Sequence, residues 1–205
     1  MSGPPSGIAS HPERNADGNP AVGAPESPKV QPCPNLAVAL LRQLLGVSVH
    51  PVQIEVILLS IKDDLGLRWR VTRGDLPSGC RPDTRARELA GLTAAVPTAT
   101  VVHSTSWRPT PDGLILTYAV LPDPAPPEGT VRAVPADAEV VSSSNAANPT
   151  PPVVTVEHVL AHALRHLSMV ARTSHTVAKA VDVYPALWHA VVAHTPDVAG
   201  QLVGT

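Results

Sequence analysis

Two pairs of strand-like segments between residues 53 and 121 restrict the possible folds of this chain more than any other feature. Residues 55–61 form an apolar, β-branched run of strand length, and residues 67–72 follow with regular alternation of apolar and polar side chains. Residues 98–107 and 114–121 form the second pair. The loop between them, 108–113, ends in Asp112-Gly113, a dipeptide favoured where a chain reverses direction. These patterns predict a sheet that includes a β-hairpin.

Helical patterns flank and interrupt the predicted sheet. Asn35 is a candidate N-cap for an apolar helix over 36–45, and Pro82 begins a helix that continues over 83–95. A weaker strand over 131–141 contains Pro135, which favours a sheet edge or a break. Further helices are predicted over 156–173, 176–183 and 185–194. The predicted fold class is α+β: a mixed sheet with short helices, and a C-terminal helical segment that docks on the same core.

Composition divides the chain into four segments. Residues 1–34 combine Pro, Gly, Ser and Asn with few apolar side chains, so we expect a disordered tail in which burial cannot offset the entropy of ordering. Residues 35–141 are predicted to form the α+β domain. Residues 142–152 are a linker rich in Ser, Asn, Ala and Pro, and residues 153–205 are the C-terminal helical segment.

Charge and hydropathy exclude two classes of partner. The formal net charge is -2 and the basic residues are scattered, which argues against nucleic acid and against an anionic membrane surface. No apolar run approaches the ~20 residues that span a bilayer, and there is no signal-peptide pattern, so we expect a cytoplasmic protein without membrane contact. Cys33 and Cys80 belong to no Cys-x-x-Cys pair and are interpreted as ordinary thiols.

Two short motifs lie in the loop and helix between the strand pairs. Leu76-Pro77-Ser78-Gly79 precedes the predicted helix, and Arg87-Glu88-Leu89 lies within it. With the order strand, strand, loop, helix and further strands, these motifs resemble the Nudix hydrolase family over residues 53–121. The resemblance implies a Nudix-like mixed sheet. It also implies hydrolysis of nucleoside diphosphate derivatives, with Mg²⁺ or Mn²⁺ held mainly by glutamates of the helix.

The motif that would hold the metal is incomplete. Gly91 and Leu92 stand where the family pattern has two adjacent glutamates, and the segment before Arg87 is too short for the earlier glutamate. Hard divalent cations need several converging oxygen ligands, which Glu88 alone cannot supply. Glu88 and Asp75 are therefore the candidate catalytic residues of a degenerate site. Mg²⁺ or Mn²⁺ would be the cofactor if that site is catalytic.

Three histidines recur at i, i+4 and i+8 in the predicted helix over 156–173: His158, His162 and His166. Neighbours at this spacing lie close enough to share zinc or another transition metal. A helical projection places them nearly opposite the apolar stripe, which predicts that they lie outside the core. The alternative is a solvated polar face that happens to contain histidine, because the motif lacks the intervening glutamate of zinc proteases.

Polar and aromatic side chains on the predicted strands are candidates for ligand binding. The run 103–107 places hydroxyl groups beside an imidazole and an indole near a strand end, where a pocket can form. A Ser-His catalytic pair is disfavoured there because strand neighbours point to opposite faces. Arginines suit phosphate, and tryptophans can stack on a base. The candidate ligand-binding residues are Arg70, Arg73, Trp69, His103 and Trp107; exposed strand and core positions are the simpler alternative.

Three functions remain open from the sequence. The first is a Nudix-like protein with a degenerate box that binds a nucleotide-like ligand or acts as a regulatory or interaction module. The second is an atypical metal-dependent hydrolase of nucleoside diphosphate derivatives. The third is an interaction module whose C-terminal helices bind a protein partner. Metal-dependent turnover separates the first two, and burial of the C-terminal apolar stripe within the chain argues against the third.

Overall fold

The described part of the chain contains a five-stranded sheet and four helices, which confirms the α+β class. The computed structural model describes residues 51–61, 66–92, 99–126, 132–134, 139–141, 143, 145 and 151–196. The strands are β1 (Val52–Ile61), β2 (Leu67–Asp75), β3 (Val101–Thr110), β4 (Gly113–Leu121) and β5 (Arg132–Ala133). The helices are α1 (Pro82–Leu89), α2 (Val156–Thr173), α3 (His175–Val183) and α4 (Pro185–Val192). The predicted tail over 1–34 and helix over 36–45 lie outside the described residues.

The sheet has the strand order β3-β4-β1-β2-β5. β1 pairs antiparallel with β2 and parallel with β4, while β3 and β4 form the predicted hairpin. Residues 54–60 of β1 are all buried, because this central strand has covered neighbours on both sides and covered faces above and below. β5 is a short strand at the edge, and Pro135 of the predicted strand over 131–141 lies outside the described residues.

Helices cover both faces of the sheet. On the face that we call the α1 face, the apolar core joins Ile54, Val56 and Leu58 to α1 and to Leu92. On the opposite face, the α2 face, a larger core joins β1, β2 and β4 to α2, α3 and α4. Its largest fully buried side chains include Trp188 from α4. The apolar stripe of α2 is thus covered within the chain. None of the described helices is both long and apolar enough to cross a membrane.

Helix α1 ends at Leu89, so the prediction of a helix as far as residue 95 is wrong. Gly91 adopts a φ of 73°. Its amide donates to the carbonyl of Glu88, and the amide of Leu92 donates to the carbonyl of Arg87. These two bonds form a Schellman motif, which ends helices at a glycine in the left-handed conformation. Gly91 is the sequence signal that marks this end.

The hairpin turn is tighter than predicted. β3 continues through Arg108 and Thr110, and only Pro111 and Asp112 separate it from β4. The predicted loop over 108–113 is therefore wrong at both ends. Gly113 pairs with Thr110 and lies against the chain that enters β1, since a Cβ atom there would be 2.0 Å from the carbonyl oxygen of Pro51.

Replacing Gly113 with Ala is expected to destabilise the protein by about 1–3 kcal/mol, because a backbone carbonyl cannot move aside as a flexible side chain can. Moving the Pro51 carbonyl would also disrupt the hydrogen bond that it accepts from the amide of Leu114. Urea denaturation measures the loss. Asp112→Ala, at the exposed turn beside it, is the control and should change stability by less than about 0.5 kcal/mol. Equal stability of the two variants would contradict the close approach.

Cys80 is disulfide-bonded, so its interpretation as an ordinary thiol is wrong. Its partner lies outside the described residues. Disulfides persist mainly in oxidising compartments. The cytoplasmic location therefore stays a prediction, and this bond argues against it.

Candidate functional site

A buried carboxylate between two guanidinium groups is the most highly charged feature of the α2 face. Glu55 of β1 has no exposed surface. Its Oε2 atom accepts hydrogen bonds from Nε of Arg73 at 2.7 Å and from Nη2 of Arg108 at 2.9 Å. Its Oε1 atom accepts from Nη1 of Arg108 at 2.9 Å and from the hydroxyl of Thr117 at 3.1 Å. We call these four residues the Glu55 cluster.

Strand register assembles the Glu55 cluster. Glu55 lies directly opposite Arg73 on β2 and opposite Thr117 on β4. Arg108 reaches the same point from β3 because the pairing of β3 with β4 shifts by one residue between Ser104 and Ser106. Such a bulge reverses the facing of every later side chain in the strand. His103 before the bulge and Arg108 after it therefore share the α2 face.

The Glu55 cluster holds an excess of positive charge. Burial by itself raises the pKa of the Glu55 carboxyl, but the hydrogen bonds and charges of Arg108 and Arg73 outweigh it, and this pKa lies below its ordinary value. One carboxylate then faces two guanidinium groups. The Arg108 side chain is 14% exposed, whereas that of Arg73 is 47% exposed. Arg73 thus presents the uncompensated charge to solvent.

Two histidines meet on the same face of the sheet, across the boundary between the sheet and α2. Nε2 of His103 on β3 lies 3.0 Å from Nε2 of His166 on α2, with ring centroids 5.1 Å apart and planes at 17°. The ring of His162 stacks on His166 at 6.5 Å. Burial lowers the pKa of His103, and burial together with the charges of the other two imidazoles lowers the pKa of His166.

The three histidines of α2 do not act as one group. Nδ1 of His158 accepts a hydrogen bond from the amide of Thr155, whose hydroxyl accepts from the His158 amide, so His158 belongs to the helix N-cap. His162 and His166 are both half-buried, and one ring nitrogen of each is shielded from solvent, so the predicted polar face is partly covered. α2 is enclosed by the sheet on one side and by α4 on another, so residues beyond its apolar stripe are also covered.

The candidate catalytic residues Glu88 and Asp75 are both associated with Arg85. Nη1 of Arg85 donates to Glu88 at 3.1 Å, and its Nε donates to the backbone carbonyl of Asp75 at 3.0 Å. A guanidinium group paired with the Glu88 carboxylate disfavours a divalent cation at that carboxylate. Among the residues that the structure describes, no group of three or more His, Cys, Asp or Glu side chains is arranged to hold a metal ion.

The remaining candidate ligand residues lie apart from Arg73 and His103. Arg70 faces the α1 side and donates two hydrogen bonds, at 2.6 and 2.8 Å, to the buried carboxylate of Asp123. Trp69 is buried; its indole donates to the carbonyl of Ala133, and the guanidinium of Arg132 lies over its ring. Trp107 is 66% exposed on the α1 side of β3. Of the five predicted ligand residues, Arg73 and His103 are the polar, partly accessible groups on the α2 face, and they lie on separate strands, β2 and β3.

Sequence reasoning missed Glu55, Arg108 and Thr117 as site residues. The available signal was a carboxylate at the start of an otherwise apolar run, since buried charges occur where a partner compensates them. The residues of the cluster come from four strands, and local periodicity does not connect them. Comparisons with models of known protein families, with curated proteins and with solved structures gave no match. The function must be inferred from the geometry of the described side chains.

Proposed function

We propose that this protein is a Nudix-like module with a degenerate box that binds a nucleotide-like, phosphate-bearing ligand at the Glu55 cluster. The supporting observation is the fixed positive charge there: one buried carboxylate against two guanidinium groups, with the Arg73 side chain 47% exposed. Guanidinium groups bind phosphate oxygens through planar, paired N–H donors. Phosphate is thus the chemical group that this cluster suits best.

Glu55 also positions the group that would bind the ligand. Its Oε2 atom accepts from Nε of Arg73 at 2.7 Å, which restricts the rotation of a long side chain before any ligand arrives. Immobilising a rotamer-rich side chain on binding costs about 0.5–1.5 kcal/mol. A guanidinium already held by a buried carboxylate avoids most of this cost. The carboxylate therefore supports binding although it carries the same charge sign as a phosphate.

The two alternatives have less support. Hydrolysis would require a divalent metal near Glu88 and Asp75, where Arg85 donates to both residues. Partner binding through the C-terminal helices would require an apolar face, but Leu160, Leu164 and Leu167 of α2 are fully buried against the rest of the chain. A protein partner would have to use another surface of these helices.

Arg73→Gln is expected to weaken the binding of nucleoside diphosphate derivatives at least tenfold, because it removes a charge-assisted hydrogen bond of about 1.5–3 kcal/mol. Isothermal titration of tag-free protein against a panel of such compounds, with and without Mg²⁺ or Mn²⁺, measures the affinities. Binding should also weaken as salt screens the charge. Product release in the same samples would report hydrolysis.

Arg81→Gln is the matched control, since Arg81 is an exposed arginine that pairs with Asp83 at the start of α1. It should leave the affinity unchanged. The proposal is wrong if the panel shows no binding, or if Arg81→Gln weakens binding as much as Arg73→Gln does. Metal-dependent cleavage that is lost in Glu88→Gln would favour the hydrolase instead.

A further inference from the structure

The contact between His103 and His166 joins two elements that are far apart in sequence, and the Glu55 cluster does not use it. We propose that His103 and His166 form a two-histidine site for a divalent transition-metal ion of the kind that prefers imidazole, such as Cu²⁺, Ni²⁺ or Zn²⁺. This site differs from a group of three histidines on α2, because one of its ligands comes from the sheet. It does not depend on ligand binding at the Glu55 cluster.

The distance between the two Nε2 atoms suits a shared ion. Metal–imidazole bonds of about 2.0–2.1 Å place two ligand nitrogens about 2.9 Å apart at a right angle and about 3.3 Å apart at the tetrahedral angle. The observed separation of 3.0 Å lies between these values and is also the length of a hydrogen bond between the two rings, so an ion would replace the proton that the rings share. Both rings could therefore bind one ion with little movement of β3 or α2.

The backbone also favours metal binding. His103 lies within β3 and His166 lies within α2, and regular elements hold ligands more precisely than loops do. The site is preorganised rather than assembled by the ion.

The site has two protein ligands and open coordination positions. No set of three candidate ligands converges among the described residues, and His162 stacks on the ring of His166 rather than completing a triad. Metal-bound histidines usually donate their other ring N–H to an acceptor, and loss of that partner costs about 10–100-fold in affinity. The buried Nδ1 of His166 has no such partner among the described residues. We therefore expect weaker binding than at a site with a complete set of hydrogen-bonded histidine ligands, with exchangeable water ligands.

Titration of the tag-free protein with Cu²⁺ and Zn²⁺, followed by electron paramagnetic resonance of the Cu²⁺ form, tests the site. The nitrogen splitting should report two imidazole ligands. His103→Gln and His166→Gln should each weaken binding at least tenfold. His189→Gln, in an exposed position on α4, is the control and should have no effect, and His158→Gln should have none because His158 serves the helix N-cap.

Circular dichroism verifies that each variant is folded. If one of the two ligand variants is not folded, the nitrogen count of the wild-type spectrum and the other variant decide the result. The proposal is overturned if the wild-type spectrum shows one nitrogen or none, or if binding survives in both ligand variants. It is also overturned if His158→Gln or His189→Gln abolishes binding, since the ion would then bind elsewhere.

Discussion

Glu55→Gln is expected to lower the free energy of unfolding by about 3 kcal/mol. Removing one partner of a buried ion pair costs about 3–5 kcal/mol, because the remaining charge is left without compensation in a poorly hydrated site. Here that charge is Arg108, whose side chain is 14% exposed. Arg73 is exposed enough for water to replace its lost bond, which places the expected loss at the lower end of the range.

Urea denaturation followed by circular dichroism measures the effect, and an unchanged m-value would show that the compactness of the two states is preserved. Glu88→Gln is the matched control. Glu88 accepts from Arg85 at the surface with its side chain 37% exposed, and exposed pairs contribute about 0–1 kcal/mol. If the two variants lose equal stability, Glu55 is not the centre of a buried ionic cluster.

Trp188→Ala is expected to destabilise the protein by about 3–5 kcal/mol, since the substitution empties a large volume in the core of the α2 face. Trp188 projects from α4 and is fully buried in that core. The same change at the exposed Trp107 removes little buried surface and should cost less than about 1 kcal/mol. Thermal and urea unfolding of the two variants give the comparison.

A third variant at this position separates packing from hydrogen bonding. The Nε1 atom of Trp188 is buried and has no hydrogen-bond partner among the described residues. Trp188→Phe removes this unsatisfied donor but keeps most of the aromatic ring. Its loss of stability should therefore be less than half of the loss caused by Trp188→Ala. Equal losses in the two variants would mean that the indole is not packed as described.

The C-terminal helices were the part of the fold most accessible from sequence. α2 spans Val156–Thr173 as its apolar periodicity predicted, because eighteen residues provide several turns of consistent pattern. Shorter elements depended on single residues. α1 ended early at Gly91, and β3 continued through Pro109, which an edge strand tolerates because one side of its backbone faces away from the ladder with β4.

Only some residues of the candidate site could be predicted from the sequence. Arg73 and His103 were identified from their residue types, but the carboxylate that orients Arg73 lies 18 positions away and was assigned to an apolar strand. His103 and His166 are separated by 63 positions, and their contact depends on how α2 packs on the sheet. Pairing across a sheet and docking of a helix are long-range events, and single-residue patterns do not encode them directly. The Nudix resemblance and its nucleotide ligand remain a proposal.

The bulge at Thr105 makes the length of β3 as important as its composition. The imidazole of His103 and the guanidinium of Arg108 project to the same side only because one extra residue separates the two halves of the strand. A chain with the same side chains and one fewer residue at this point would send them to opposite sides of the sheet. Insertions and deletions in β3 are thus expected to be more harmful than most substitutions. They would turn the side chains on one half of the strand to the other face of the sheet, which a single substitution does not do.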